Sequence, residues 1–346
     1  MTDTYSRMLD RTLKKGSAKK SEDVKNIQTR FSKVSAYLVR FALFAFSLYL
    51  LNSLVAIALA SGSSVRAASQ GPSQKTDKAQ LSASDPSSGL LEIGGLPLSD
   101  EPSVTATPTV IKVISYNIHF RGGKEQQMII KALRDDQEIG GAGIIGLQEA
   151  DRNKKRSGNV NTAREIARAL GMNYAWAGQP PRNANQKEED TGVALLSRYR
   201  IFDVERIVLP HRGPGGRLRV AVGATVKLGA NDVRVYVVHS ERRIPLDFKL
   251  DQLRAVINAL DRHPQTSSAI VLGDFNSHRS VRETAELFTG AGFSTPIPND
   301  RATWKLLFVT TKLDWIWLRG LSATASGVSD RIKLSDHLPL WVSVKL

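Results

Sequence analysis

The sequence predicts an α/β fold in which paired strands are layered with helices, an α/β sandwich rather than a doubly wound parallel sheet. Two observations predict it. From residue 109 onward, short runs rich in Val and Ile alternate with segments whose apolar residues recur at helical spacing. Two of these strand-like runs, Leu218–Val226 and Val233–His239, follow one another across Lys227–Asp232, as an antiparallel pair does.

The elements justify themselves in order. Val110–Tyr116 is a β-branched run and reads as a buried strand, and Lys124–Arg134 carries Met128, Ile129, Ala132 and Leu133 at helical spacing. Gly143–Leu147 is a second strand, Thr162–Leu170 a helix and Gly192–Ser197 a strand. After the strand pair come a helix at Leu246–Leu260, a strand at Ala269–Leu272 and a helix at Val281–Leu287. Strands at Leu313–Leu318 and Leu340–Val344 close the chain.

The residues before 109 are of another kind. Residues 1–40 are polar and basic, and Phe41–Ala60 is an apolar run interrupted only by Ser47, Asn52 and Ser53. Twenty helical residues reach roughly 30 Å, the thickness of a bilayer core, so a transmembrane segment is expected at 41–60. Positive charge on its N-terminal side orients that side to the cytoplasm. Retention as a signal anchor places the remainder outside the inner membrane, in the periplasm. Cleavage after Ala58-Leu59-Ala60 makes the protein secreted. Residues 61–108 are rich in Ser, Ala, Gly, Pro and Thr and read as a flexible linker, with the folded domain at 109–346.

The net charge is +15, distributed as +6 over residues 1–60, −2 over 61–108 and +11 over 109–346. A basic folded part suits an anionic partner such as a phosphate ester, nucleic acid or anionic lipid. The chain has no cysteine, which excludes disulfides, thiolate metal sites and thiol nucleophiles.

Polar residues gather where predicted strands end, the position from which a rigid scaffold delivers side chains to a shared site. They are Asn117 and His119, then Gln148, Glu149 and Asp151, then His239, then Asp274 and Asn276 in Gly-Asp-Phe-Asn. Asp336 and His337 precede the last strand. Each alone reads as a turn former or cap; their coincidence points to one site. His119, His211, His263 and His278 read individually as surface or hydrogen-bonded residues.

Seven segments in order carry a resemblance. They are Val113-Ile-Ser-Tyr-Asn117, Gly146-Leu-Gln-Glu149, Thr191-Gly-Val-Ala-Leu-Leu-Ser197-Arg198, Val238-His239, Leu272-Gly-Asp274-Phe-Asn276, Leu313-Asp314-Trp-Ile and Ser335-Asp336-His337. From about Val110 to Leu346 the chain resembles the endonuclease/exonuclease/phosphatase superfamily. That family includes deoxyribonuclease-like nucleases, apurinic-site endonucleases, neutral sphingomyelinases and inositol polyphosphate phosphatases. The resemblance implies a four-layer α/β/β/α sandwich with two mixed β-sheets, and hydrolysis of phosphate esters by water with Mg²⁺, or Mn²⁺ in its place.

Such chemistry needs a cation on the phosphoryl oxygens, a base for water and an acid or electrophile opposite. Mg²⁺ takes hard oxygen ligands and keeps several waters, so one or two carboxylates suffice. Glu149 is the best ligand, with Asp336 and the Asn117 amide beside it. Carried over from the family, Asp274 positions or deprotonates water and Asn276 holds a phosphoryl oxygen. His337, oriented by Asp314, stabilises the phosphate, and His239 is a second imidazole there and a candidate acid. Apurinic-site endonucleases carry Tyr in place of His239, which makes a repair nuclease the weaker expectation.

The chain also departs from the family pattern. Val238-His239-Ser240-Glu241-Arg242-Arg243 replaces the commoner Thr-His-Leu, the Trp315 and Trp317 pair replaces the commoner Tyr, and His119 stands where some members have an acidic ligand. Arg212, Arg217 and Arg219 around Gly213-Pro-Gly-Gly216, with Arg242, Arg243 and Lys154-Lys155-Arg156, are candidates for contacting phosphate. The expected substrate is a phosphodiester, nucleic acid first, with a lipid or small phosphate ester as the alternative and a non-catalytic binding module as the least favoured reading.

Overall fold

A computed structural model describes residues 88–95, 108–182, 190–306 and 308–346. The expected basic segment 1–40, the apolar run 41–60 and most of the expected linker lie outside the described residues. Among the described residues no helix is long and apolar enough to cross a membrane.

In chain order the elements begin with β1 (Leu91–Gly94), β2 (Val110–Asn117), α1 (Gly123–Asp135), β3 (Ile144–Arg152), α2 (Thr162–Leu170) and β4 (Asn173–Gly178). There follow β5 (Asp190–Ser197), β6 (Ile201–Val208), β7 (Val220–Leu228), β8 (Asn231–His239), α3 (Leu246–Ala259) and β9 (Ser268–Asp274). The last are α4 (Val281–Gly290), β10 (Trp304–Leu306), β11 (Val309–Thr311), β12 (Asp314–Arg319), β13 (Ser322–Val328) and β14 (Leu340–Lys345).

One sheet has the order β1-β4-β5-β3-β2-β14-β13 and the other β12-β9-β8-β7-β6. Both are mixed: β2–β3 and β8–β9 are parallel, joined through α1 and α3, and the other pairs within them are antiparallel. Alternation along each strand explains the layering. In β8, Val233, Val235 and Val237 enter a cluster with Val113, Ile144, Leu195 and Val342 of the other sheet, while Tyr236 and Val238 face Leu253 and Val256 of α3. In β2, Ile111 and Val113 face the second sheet, and Ile114 and Tyr116 meet Ile129 and Leu133 of α1. The result is the expected four-layer α/β/β/α sandwich.

Close approach of the sheets depends on Gly146 in β3, where an added Cβ lies 2.0 Å from Leu272 Cδ1. The helices end where chemistry dictates. Asn161 Oδ1 accepts from the N–H groups of Ala163 and Arg164 at the start of α2, and Gly171 closes it at φ 63°.

Residues 88–95 correct the reading of 61–108 as uninterrupted linker. Leu91–Gly94 pairs antiparallel with β4, and Glu92 accepts from the Tyr174 hydroxyl at 2.7 Å. Pairing, not composition, orders this segment. The sequence reading also omits β4, β6, β10, β11 and β13. In β13 the residues Ser322–Ala325 are exposed, so no apolar alternation marks them.

Candidate active site

Topology brings the polar strand ends together. The parallel pairs align the C-terminal ends of β2, β3, β8 and β9, carrying Asn117, Glu149, His239 and Asp274. Asp314 at the start of β12 sits opposite Asp274, and His239 is also in register with it. The loop before β14 supplies Asp336 and His337. A cavity of about 440 Å³ lies there, lined by Glu149, His239, Asp274, Asn276, Asp336 and His337 among others.

Backbone conformation aims several of these side chains. Glu149 has φ 57° and lies at a register shift between Gln148 and Ala150, so a β-bulge turns its carboxylate toward the cavity. Gly273 has φ 140°, and a Cβ there would sit 2.0 Å from the Val238 carbonyl oxygen. Only glycine lets β9 approach β8 this closely immediately before Asp274. Asn276 has φ 49°; its N–H donates to Asp274 Oδ1 at 2.9 Å and its Nδ2 to the Ser240 carbonyl at 3.0 Å.

Asp274 is the centre of the arrangement. Its Oδ2 accepts from Asn117 Nδ2 at 3.1 Å and lies 3.4 Å from His239 Nε2 and 3.7 Å from His337 Nε2. Burial raises its carboxyl to about 6, with the His337 charge opposing and Asp314 adding to the rise. Burial likewise raises Glu149, and the Asp274 charge adds to it.

The two imidazoles are held differently. His337 Nδ1 lies 2.9 Å from Asp314 Oδ2, which also accepts from Thr303 Oγ1 at 2.7 Å. Burial alone lowers a histidine, but Asp314 and Asp274 overcome it and raise His337 to about 10. It is therefore an imidazolium at neutral pH. His239 Nδ1 faces Arg219 Nη1 at 3.3 Å; a guanidinium only donates, so Nδ1 accepts and the proton is assigned to Nε2, facing Asp274. Burial, then Arg219 and His337, push His239 well below its ordinary value.

Asp336 is partly exposed, accepts from Trp304 Nε1 at 2.9 Å and lies 3.1 Å from His119 Nδ1. Burial raises its carboxyl, but His337, Trp304 and His119 bring it below its ordinary value. Among the described residues, Asp274, Asp314 and His337 offer ligand atoms within 4.8 Å of one another. His337, protonated and bonded to Asp314, is a poor metal ligand. Glu149 fits a hard cation better, because its buried Oε2 has no hydrogen-bond partner and the residue lines the cavity with Asp336. The Asn117 amide is engaged at both ends, since its Oδ1 accepts from the His119 N–H at 3.0 Å.

The predicted substrate-binding arginines sit at the cavity, two of them tied to a residue to which sequence reasoning gave no role. Glu241, fully buried, accepts from Arg217 Nε and Nη2 at 3.0 and 3.1 Å and from Arg219 Nε at 3.1 Å. It also accepts from the N–H groups of Arg242 and Arg243. Lys249, likewise unforeseen, donates to the carbonyls of Glu241 and Asn276 at 2.9 and 2.7 Å, and burial lowers it to about 8. Thr303 and Trp304, which fix Asp314 and Asp336, were missed as well. Glu241 directly follows His239-Ser240 at a departure from the family pattern, the one signal that marked its neighbourhood. Trp315 and Trp317 are core residues, stacked at 5.1 Å.

The model of the Endonuclease/Exonuclease/phosphatase family matches residues 114–337 of the chain. The chain belongs to that family. Its matched region spans six of the seven motif segments whole and begins one residue into the first. Solved structures share the family fold. An endonuclease/exonuclease/phosphatase from Beutenbergia cavernae DSM 12333 has TM-score 0.55 and 18% identity, over 69% of this chain and 72% of that one. The human Nocturnin catalytic domain, solved with a bound sulfate anion, has TM-score 0.52 and 19% identity, over 68% and 94%. ANGEL2, a 2′,3′-cyclic phosphatase, has TM-score 0.54 and 14% identity, over 68% and 95%. At these identities the likeness speaks for the fold. No curated protein matches the chain.

Proposed function

We propose that this endonuclease/exonuclease/phosphatase family member is a phosphodiesterase that hydrolyses nucleic acid with Mg²⁺, Mn²⁺ serving in its place. The observation that carries the reading is Asp274, a buried carboxylate with a value near 6 at the meeting point of Asn117, His239 and His337. A base close to operating pH is suited to taking a proton from water. A divalent cation held by Glu149 and Asp336 would neutralise phosphoryl oxygens and lower the barrier to attack.

The chain's own residues divide the remaining work. Asp274 takes the proton as water oxygen bonds to phosphorus, and Asn117 keeps its carboxylate aimed. Asn276 holds a phosphoryl oxygen. The bond from phosphorus to the leaving oxygen breaks, and that oxygen receives a proton from the His337 imidazolium, which Asp314 and Thr303 orient. His337 acts here in place of His239, the acid expected from the sequence, which burial and the charges of Arg219 and His337 disfavour as a cation. His239 contributes an Nε2–H donor to the developing charge. Arg217, Arg219 and Arg242 line or border the cavity as an anion-attracting rim.

A second reading, a lipid phosphodiester as substrate, is favoured by one feature. The β10–β11 hairpin exposes Leu306, Phe308 and Val309 at 55%, 98% and 60%, and its Trp304 is bonded to the site residue Asp336. The apolar run Phe41–Ala60 supports the same surroundings and a catalytic domain outside the cytoplasm, which cell fractionation with protease accessibility tests.

The full chain with Mg²⁺ is expected to degrade oligonucleotides and to stop on chelation. Release of phosphorylated headgroups from lipid vesicles, without nucleic acid cleavage, would replace the first substrate by the second. Asp274→Ala is expected to lower kcat by about 10²–10⁴-fold with KM little changed. Wild-type kcat in that variant overturns the mechanism for either substrate.

A further inference from the structure

A cleft of about 590 Å³ adjoins the catalytic cavity and shares Arg242, Arg243 and Asn276 with it. Two helices begin at this cleft. Pro245 and Leu246 open α3, Ser280 is the N-cap of α4, and all three line it. The first turn of a helix leaves backbone N–H groups unpaired and carries partial positive charge, which favours an anion. Neither start has a side-chain cap from its N-cap residue, in helices of 14 and 10 residues.

A second observation concerns a side chain rather than the helix backbone. Ser280 is 2% exposed, and its Oγ has no hydrogen-bond partner. A buried hydroxyl left unpaired is costly, and a ligand oxygen in the cleft it lines would satisfy it. Charge agrees with this. Arg242, Arg243, Arg279 and Lys249 line the cleft and no carboxylate does. Lys249 has two of its three protons committed to carbonyl oxygens, which leaves one donor. His278, also in the wall, is lowered by burial and by the charges of Lys249, Arg242 and Arg279.

We propose that this cleft is a second phosphate subsite, which binds a phosphate next to the scissile one on the same nucleic acid strand. The proposal rests on the phosphodiesterase reading above and names what that site's substrate must carry beyond its reacting ester. The shared Arg242 and Arg243 make an anion in the cleft a neighbour of the anion in the cavity. Ile244, Pro245 and Leu246 add an apolar wall against which a sugar or base can lie. A minimal diester with one phosphate cannot fill both places.

Arg279 lines the cleft and not the catalytic cavity, so Arg279→Ala separates the two. In the full chain with Mg²⁺, this variant is expected to raise KM for a short DNA oligonucleotide about tenfold, the size of one lost charge-assisted contact. Hydrolysis of bis(p-nitrophenyl) phosphate should stay within about twofold of wild type. Arg282→Ala removes a charge from the first turn of α4, three residues beyond Arg279 and outside the cleft, and should leave both substrates unaffected. Oligonucleotide kinetics equal to wild type in Arg279→Ala overturn the subsite.

Binding of a labelled oligonucleotide, followed by fluorescence anisotropy in EDTA, gives the same comparison without turnover. A tenfold weaker Kd in Arg279→Ala supports the subsite even if no substrate is hydrolysed, so failure of the phosphodiesterase reading is distinguishable from failure of this one. Titration with inorganic phosphate covers the other source of the same chemistry. Phosphate binding that is lost in Arg279→Ala while oligonucleotide binding is retained would make the cleft a free-anion site and overturn the proposal.

Discussion

Glu241 accepts hydrogen bonds from two guanidinium groups and two backbone N–H groups while fully buried, and one of those guanidiniums fixes the tautomer of His239. A buried carboxylate is costly unless it is paired as completely as this one. Glu241→Gln keeps the shape and removes the charge, which leaves Arg219 and Arg217 uncompensated. Breaking a buried pair from one side costs about 3–5 kcal/mol, so the variant is expected to melt earlier in thermal denaturation. A pH series gives a second check. Burial raises the Glu241 carboxyl, but Arg219, Arg217 and the Arg243 N–H bring it below its ordinary 4.5. A depressed carboxylate contributes stability that is present above its unfolded value and lost as pH falls through its folded value. Wild type should therefore lose stability on acidification below about 4.5, and Glu241→Gln should lose less over the same interval. An unchanged melting temperature at neutral pH, with an unchanged acid limb, would show that the two arginines are held by something else.

Among the elements, β3, β8 and β9 carry most of the site, and two glycines set how closely they pack. At Gly146 an added Cβ meets the end of the Leu272 side chain, whereas at Gly273 it meets the Val238 carbonyl and the backbone already has φ 140°. Side chains yield more readily than backbone, so Gly146→Ala is expected to cost about 1–3 kcal/mol by overpacking. Gly273→Ala should cost more and abolish activity through Asp274, and denaturant melts of both give the order. The reverse order would mean that β9 shifts freely against β8. This difference also explains what was legible in the sequence. Strands β2, β7, β8 and β9 are buried on both faces and announce themselves as runs of Val and Ile. Strand β13 is largely exposed and β1 is ordered by its pairing with β4, so neither leaves a periodic trace. The site follows the same rule. Asn117, Glu149, His239, Asp274 and His337 stand at ends of visible strands or beside them. Glu241, Lys249 and Thr303 act through partners 8 to 27 residues away, and no spacing rule reports such a meeting.

On the scale of the whole molecule, the excess of +11 over residues 109–346 gains meaning from where arginines stand. Arg217, Arg219, Arg242 and Arg243 line the catalytic cavity, and Arg242, Arg243 and Arg279 the cleft beside it. A strand that crosses both replaces condensed counterions at several phosphates, and releasing them makes binding fall steeply with salt. For about three phosphates on a single strand, affinity is expected to drop roughly tenfold or more between about 50 and 200 mM salt. A diester with one phosphate has little to release and should be nearly indifferent over the same range. Measuring KM for an oligonucleotide and for bis(p-nitrophenyl) phosphate across that series therefore reads the charge at the site rather than the charge of the protein. Equal, shallow dependence for both substrates would mean that the basic excess is solvated surface with no part in binding. A steep dependence for the oligonucleotide, reduced by one charge in Arg279→Ala, ties the excess to the face where both sheets present their strand ends.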